Sequence, residues 1–202
     1  MASKLYYFYG PMGSAKTLRL LTTAYNFEER DIAFLVIKPT TDTRDEKGYV
    51  TSRVGMKREC VMVDNDVDLY AATQDYANVL QASFTKLEWI LVDECQFLTT
   101  EQIDQLAKVV DKLDINVMCF GLRTDFQAKA FPASKRLFEL ADDIEEVKSR
   151  CSCGRKIIVN ARFDENNNLI TNGPQIFVGG NDKYRPLCRK CWSKLVKEQQ
   201  SN

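Results

Sequence analysis

Leu5-Tyr6-Tyr7-Phe8-Tyr9-Gly10-Pro11-Met12-Gly13-Ser14-Ala15-Lys16-Thr17 runs an apolar stretch straight into a glycine-punctuated turn that closes on Lys-Thr. The pattern predicts a strand, a tight loop and a helix, in that order. A strand that ends in such a turn aims several backbone N–H groups at one point, and the helix N-terminus adds its positive dipole end there. Lys16 is positioned to reach β- and γ-phosphates, and the Thr17 hydroxyl to hold a magnesium ion. The whole loop from Gly10 through Pro11, Met12, Gly13, Ser14 and Ala15 to Lys16 and Thr17 is therefore the candidate site for a nucleoside triphosphate such as ATP. One position is irregular. Ala15 stands where the general pattern has glycine, and its methyl group implies mild strain against a close-lying phosphate.

Working outward, short apolar runs alternate with helical patterns. Candidate strands are Leu5–Tyr9, Ala33–Ile37, Trp89–Val92 and Val117–Phe120, and candidate helices are Lys16–Glu29, Leu69–Gln81, Thr100–Lys112 and Ser134–Ala141. The strands are continuously apolar rather than alternating, which predicts an α/β fold with a parallel sheet covered by helices on both faces. Ligands of such sheets sit beyond the carboxyl ends of the strands, where the phosphate loop lies. The stretch 38–56, rich in polar residues with Pro39 and Gly48, reads as a long loop able to move. Three units are expected: a nucleotide-binding domain over 1–148, a cysteine-bearing module over 149–192, and a flexible tail over 193–202 that frays from Lys197.

The run Trp89-Ile90-Leu91-Val92-Asp93-Glu94 ends a strand in two carboxylates. Beside a phosphate loop, the first acid, Asp93, is the expected magnesium-side ligand together with Thr17. Glu94 is expected to face another direction, because side chains alternate along a strand. It is a candidate base for a nucleophile next to the γ-phosphate.

Seven cysteines and no histidine shape the remaining chemistry. The lack of histidine removes Ser-His and Cys-His pairs. Cys151, Cys153, Cys188 and Cys191 form two close pairs that suit a tetrahedral structural zinc ion, which would staple the loop 154–187 at its base. Between these pairs lie β-like runs, Lys156–Ala161 and Gln175–Val178, separated by turn clusters. Gly121-Leu122-Arg123-Thr124-Asp125-Phe126 follows a strand and is placed to line a pocket. Phe126 and Phe131 are candidates to stack on a planar base, with plain core packing an equal alternative.

The chain has 202 residues, 45% hydrophobic, with 28 basic and 28 acidic side chains and zero formal net charge. That balance builds no broad positive field for nucleic acid, and no apolar run approaches a membrane span. Met1-Ala2-Ser3-Lys4 leads directly into a strand, so no secretory leader is expected and the expected compartment is the cytoplasm.

Together these motifs resemble the cytosolic, zinc-containing thymidine kinases, most closely their bacterial branch. The carriers are Gly10-Pro11-Met12 through Lys16-Thr17, Asp42-x-Arg44, Ser52-Arg53-x-Gly55, Val92-Asp93-Glu94-Cys95-Gln96-Phe97-Leu98, Gly121-Leu122-Arg123-Thr124-Asp125-Phe126, Cys151-Ser152-Cys153-Gly154-Arg155-Lys156, Gly179-Gly180-x-x-Lys183-Tyr184 and Cys188-Arg189-Lys190-Cys191. The resemblance implies a P-loop core plus a zinc-stapled lasso that closes over thymine. It implies that Glu94 takes the proton of the 5′-hydroxyl. It also implies that Asp42, Arg44 and Gln96 sit on the ATP side, where the residues alone suggest that Asp42 and Arg44 are solvated. Met12, Leu122, Phe126, Phe131, Tyr184 and the lasso residues Phe177, Val178 and Gly179 are then the nucleoside contacts. ATP, magnesium and structural zinc are the implied cofactors, thymidine (and deoxyuridine) the acceptor, dTTP a feedback inhibitor, and a homotetramer or dimer the assembly. Neither nucleic acid nor membrane is an implied partner.

The residues alone leave a rival, a P-loop ATPase or switch whose zinc module, with Lys183, Arg185, Arg189 and Lys190, binds nucleic acid or protein. A third reading is a nucleotide-binding regulator that has lost activity through Ala15.

Overall fold

A computed structural model of the chain describes residues 2–44, 46–176 and 184–200. Six strands form one parallel sheet: β1 (Leu5–Tyr9), β2 (Phe34–Pro39), β5 (Val61–Val63), β6 (Trp89–Val92), β7 (Asn116–Gly121) and β8 (Asp143–Glu146), in the spatial order β5-β2-β6-β7-β1-β8. β1 lies between β7 and β8, with Tyr7 opposite Cys119 on one side and Ile144 on the other. The expected α/β class and all four expected strands are present, each within two residues of its expected ends. β5 and β8 were not foreseen. They are the two edge strands, short and partly exposed, with Val61 and Ile144 open to solvent. β8 reads Asp-Ile-Glu-Glu and has no apolar run, and the three apolar residues of β5 make too short a run to mark a strand.

One face of the sheet is covered by α1 (Lys16–Glu28), which buries Leu20, Leu21, Ala24 and Phe27 against Phe8, Val36, Leu91 and Phe120. The other carries α2 (Leu69–Ala82), α3 (Thr100–Leu113) and α4 (Pro132–Leu140), which close a larger core around Tyr7, Ile90, Val92, Ile103, Leu106 and Val117. The helix starts are encoded locally. Asp68 caps α2 by accepting from Ala71 N at 3.0 Å. Thr99 and Gln102 cap α3 reciprocally, and Pro132 begins α4 where a missing N–H costs nothing.

The expected long loop over 38–56 is only partly a loop. Pro39 still belongs to β2, and β3 (Tyr49–Thr51) pairs with β4 (Lys57–Glu59) as an antiparallel hairpin. Val50 is buried in the α1-side core, and that single anchor turns a polar stretch into ordered structure.

The cysteine-bearing module contains a second, antiparallel sheet, β10 (Leu169–Ile170), β9 (Val159–Phe163) and β11 (Tyr184–Leu187), followed by α5 (Arg189–Gln200). The expected strand over Lys156–Ala161 is displaced to β9. In the expected run Gln175–Val178, Gln175 and Ile176 are not in a strand, and Phe177 and Val178 lie outside the described residues. The tail expected to be flexible beyond residue 192 is instead helical to Gln200. Trp192, Leu195 and Val196 recur at helical spacing and pack on Ala161, Phe163 and Leu169, so tertiary burial overrides the polar composition of the segment. No helix among the described residues is long and apolar enough to cross a membrane.

Candidate active site

Four strand ends converge on one edge of the sheet. β1 delivers the phosphate loop, β2 the segment with Asp42 and Arg44, β6 the pair Asp93-Glu94, and β7 Leu122. The loop is shaped by two residues in the left-handed region, Gly13 at φ 73° and Ala15 at φ 64°, ψ 23°. The irregular alanine is thus at a position that favours glycine, with a backbone cost of about 1 kcal/mol or somewhat more. Gly10 admits no side chain, because a Cβ there would collide with the carbonyl oxygen of Val147.

Lys16 is buried and donates from Nζ to the Pro11 carbonyl at 2.8 Å. Burial pushes its pKa down, against the pull of Glu94 and Asp93. Thr17 Oγ1 donates to Asp93 at 3.2 Å. Burial, reinforced by the charge of Glu94, pushes the Asp93 carboxyl up to about 7, while Lys38 and Lys16 oppose. A hydroxyl and a buried carboxylate held this close supply hard oxygen donors of the kind magnesium takes, so the pair fits that ion.

Asp42 and Arg44 belong to the site rather than to solvent. Asp42 accepts from Arg44 Nε at 2.6 Å and lies 2.9 Å from the buried Lys38 Nζ. Burial alone would raise the Asp42 pKa, but Arg44 and Lys38 hold it below the usual carboxylate range. The same guanidinium reaches Glu94 Oε1 at 2.6 Å.

Asp93 and Glu94 follow directly on β6. Glu94 is itself left-handed at φ 50°, ψ 39° and starts a single 3₁₀ turn, Cys95–Phe97. That turn adds to the divergence from Asp93 expected from strand alternation, and it is the kind of strained backbone that clusters at functional sites. Gln96, expected among the ATP ligands, is buried with its Nε2 donating to Glu94 Oε2 at 2.5 Å and its Oε1 accepting from Leu122 N at 2.9 Å. Gly121 makes room for this bridge, since a Cβ there would lie 2.7 Å from Gln96 Oε1.

Two cavities meet here. A cleft of about 320 Å³ runs over the phosphate loop and reaches Asp93 and Glu94. A smaller one of about 50 Å³ is walled by Phe126, Phe131, Tyr184, Asp125 and Asn160. Met12, Arg44, Glu94 and Leu122 line both. Phe126 and Phe131 are buried and also border this second cavity, so core and wall are the same residues here. Phe177, Val178 and Gly179 lie outside the described residues.

Two participants, Asn160 and Gln175, are not marked in the sequence, while Asp125 lies in the segment Gly121–Phe126 that is expected to line a pocket and does line one. Asn160 on β9 accepts the Met12 N–H at 2.8 Å, joining the cysteine module to the phosphate loop. Asp125 receives Gln175 Nε2 at 2.9 Å and also stiffens its own loop by accepting from Gln127 N and Lys129 N. Nothing near Asn160 or Gln175 in the sequence marks either residue, because each acts only across a tertiary contact.

The thiols of Cys151, Cys153, Cys188 and Cys191 lie within 4.8 Å of one another. Cys153 Sγ is 3.5 Å from Cys188 Sγ, close to the spacing of about 3.8 Å that four 2.3 Å zinc–sulfur bonds impose. The expected cysteine pairs are thus brought together, and the donor set fits zinc.

A sequence profile for thymidine kinase matches residues 3–192. The chain belongs to the thymidine kinase family. Members of that family are ATP-dependent thymidine kinases, which makes this chain an enzyme of the transferase class. Among similar proteins, the thymidine kinase of Pasteurella multocida is 44% identical over 194 residues, covering 96% of this chain and 98% of its own. The thymidine kinase of Legionella pneumophila strain Lens is 41% identical over 187 residues, covering 93% and 88%. That of Streptococcus agalactiae serotype V is 43% identical over 189 residues, covering 93% and 96%.

Proposed function

We propose that this protein transfers the γ-phosphate of ATP to the 5′-hydroxyl of thymidine, giving dTMP. The observation that carries the reading is that Glu94 lines both cavities at once, one cavity running over the phosphate loop and the other walled by aromatic rings. The triphosphate lies along the loop, where backbone N–H groups and Lys16 neutralise charge that develops on the transferring group. Lys16 then exchanges its Pro11 contact for phosphate oxygen. Thymidine occupies the second cavity between Phe126, Phe131 and Tyr184, with Met12 and Leu122 at the boundary.

Glu94 accepts the 5′-hydroxyl proton as that oxygen attacks the γ-phosphorus in line. Its contribution is mainly to position the nucleophile, since the transferring group in such reactions needs little help from a base. Arg44, anchored by Asp42, exchanges Glu94 for phosphate when ATP binds. Thr17 and Asp93 would hold magnesium, which when bound would offset the negative charge of the phosphates. Cys151, Cys153, Cys188 and Cys191 hold a structural zinc ion with no position open to substrate.

Deoxyuridine is accepted as a smaller analogue, dTTP acts as inhibitor, and the enzyme works as a cytoplasmic homotetramer or dimer. The decisive experiment incubates the protein with ATP, magnesium and thymidine and measures dTMP. Glu94→Gln is expected to lower kcat by about a hundredfold or more; turnover near wild type would remove Glu94 from its role.

A further inference from the structure

Lys16 lies on the phosphate loop itself and Arg44 follows β2, whereas Arg53 reaches the loop from the β3–β4 hairpin. It sits at the tip of the β3–β4 hairpin, in a turn closed by Ser52 N donating to Met56 O at 2.8 Å and by Met56 N donating to Ser52 Oγ at 3.1 Å. The stem of the hairpin is fixed. Val50 is fully buried under α1, and Arg58 pairs with Glu28 of α1, its NH1 2.6 Å from Oε1. The helix that begins at the phosphate loop therefore also carries the hairpin that arches over it. At the tip, the Arg53 guanidinium lies 3.4 Å from where a Cβ of Gly13 would stand, and it lines the same cleft as Lys16, Thr17, Asp93 and Glu94.

The cations of this cleft differ in what they already hold. Arg44 is bound to Asp42 and Glu94, and Lys16 to the Pro11 carbonyl. Among the described residues Arg53 has neither an ion pair nor a hydrogen bond, and it is exposed. An unpaired guanidinium beside a loop of converging N–H groups adds positive charge to positive potential. The arrangement is complete only when an anion with several oxygens lies between them. A planar fork of N–H donors matches two oxygens of one phosphoryl group.

We propose that Arg53 is a catalytic residue supplied in cis, whose guanidinium binds the transferring γ-phosphoryl group from the tip of the β3–β4 hairpin. The inference rests on the proposed kinase reaction. In that step the 5′-oxygen forms a bond to the γ-phosphorus, and the bond from the γ-phosphorus to the β–γ bridging oxygen breaks. Its electron pair leaves with ADP, and the hydroxyl proton passes to Glu94. Arg53 neither gives nor takes a proton. It neutralises oxygens whose charge redistributes as the phosphoryl group moves.

The test compares wild type with Arg53→Ala, Arg53→Lys and Lys57→Ala, reading kcat for thymidine-dependent ADP formation and equilibrium affinity for ATP and for ADP with magnesium. Arg53→Ala is expected to lose about a hundredfold or more in kcat, to bind ATP more weakly and to bind ADP as wild type does. Arg53→Lys restores part of the rate, because a point charge replaces the fork. Lys57→Ala, which removes a cation of the same hairpin that does not line the cleft, keeps the wild-type rate. A near-wild-type kcat for Arg53→Ala overturns the proposal, as does an equal loss of ATP and ADP affinity. A wild-type protein that makes no dTMP defeats the kinase reading itself, and the ATP-against-ADP comparison then still decides whether Arg53 holds the terminal phosphate.

Discussion

Gln96 ties Glu94 to Leu122 with a single side chain, its amide nitrogen 2.5 Å from the Glu94 carboxylate and its amide oxygen 2.9 Å from the Leu122 N–H. The Leu122 carbonyl in turn accepts from Ser134 Oγ at 2.6 Å and from Tyr7 OH at 3.1 Å. The orientation of the amide is set from both ends, so Glu94 is aimed by the β7 end of the sheet. Gln96→Ala is expected to lower kcat by roughly tenfold to a hundredfold while leaving the KM for ATP almost unchanged, because misaimed catalytic groups cost rate rather than binding. A rise in the KM for ATP at unchanged kcat would instead make Gln96 a phosphate ligand.

Ala15 offers a gain of stability. Its φ of 64° is a conformation in which glycine is unstrained. Ala15→Gly is expected to stabilise the fold by about 1 kcal/mol, partly offset by the greater freedom of glycine in the unfolded chain. It is also expected to tighten ATP binding. Thermal melting and nucleotide titration check this, and a lower Tm would show that the loop tolerates the methyl group without strain.

Acid should expose the role of Asp42. Its pKa is depressed in the folded state by Arg44 and Lys38, against the opposing effect of burial. The folded protein then binds fewer protons than the unfolded chain in the acid range. The resulting stability is fully present above the unfolded carboxylate value of about 4 and is lost as pH falls through the lower folded value. Urea midpoints for wild type and Asp42→Asn are expected to differ most at neutral pH and to converge below about pH 4. A difference that stays constant across that range would mean that Asp42 does not titrate with folding.

Removal of metal should separate the two substrates. Chelation, or Cys188→Ser, is expected to release zinc and to raise the KM for thymidine more than that for ATP, because β9, β11 and Gln175 border the smaller cavity. Metal content and both KM values are the measurements. Equal losses for both substrates would make the module a support for the whole fold.

Much of this was legible from local signals. The phosphate loop, the acid pair after β6 and the two cysteine pairs each depend on residue type at fixed short spacing. The parallel sheet follows from fully apolar strands. What stayed hidden acts across the fold. Asn160 reads as one polar residue in a strand until β9 brings it to Met12. The space for Gln96 depends on Gly121 lacking a side chain. The helical end of the chain depends on Trp192, Leu195 and Val196 finding an apolar sheet to cover. Local propensity carries no trace of such partners.

The hydrogen bond from Met12 to Asn160 has a consequence for modularity. The cysteine module could be taken for a detachable lid that a different core might borrow. Yet it supplies the acceptor for a backbone group in the third residue of the phosphate loop, a partly buried polar group that would be costly to leave unmet. The two halves are a single casting, and grafting either one elsewhere would mean rebuilding the seam as well as the parts.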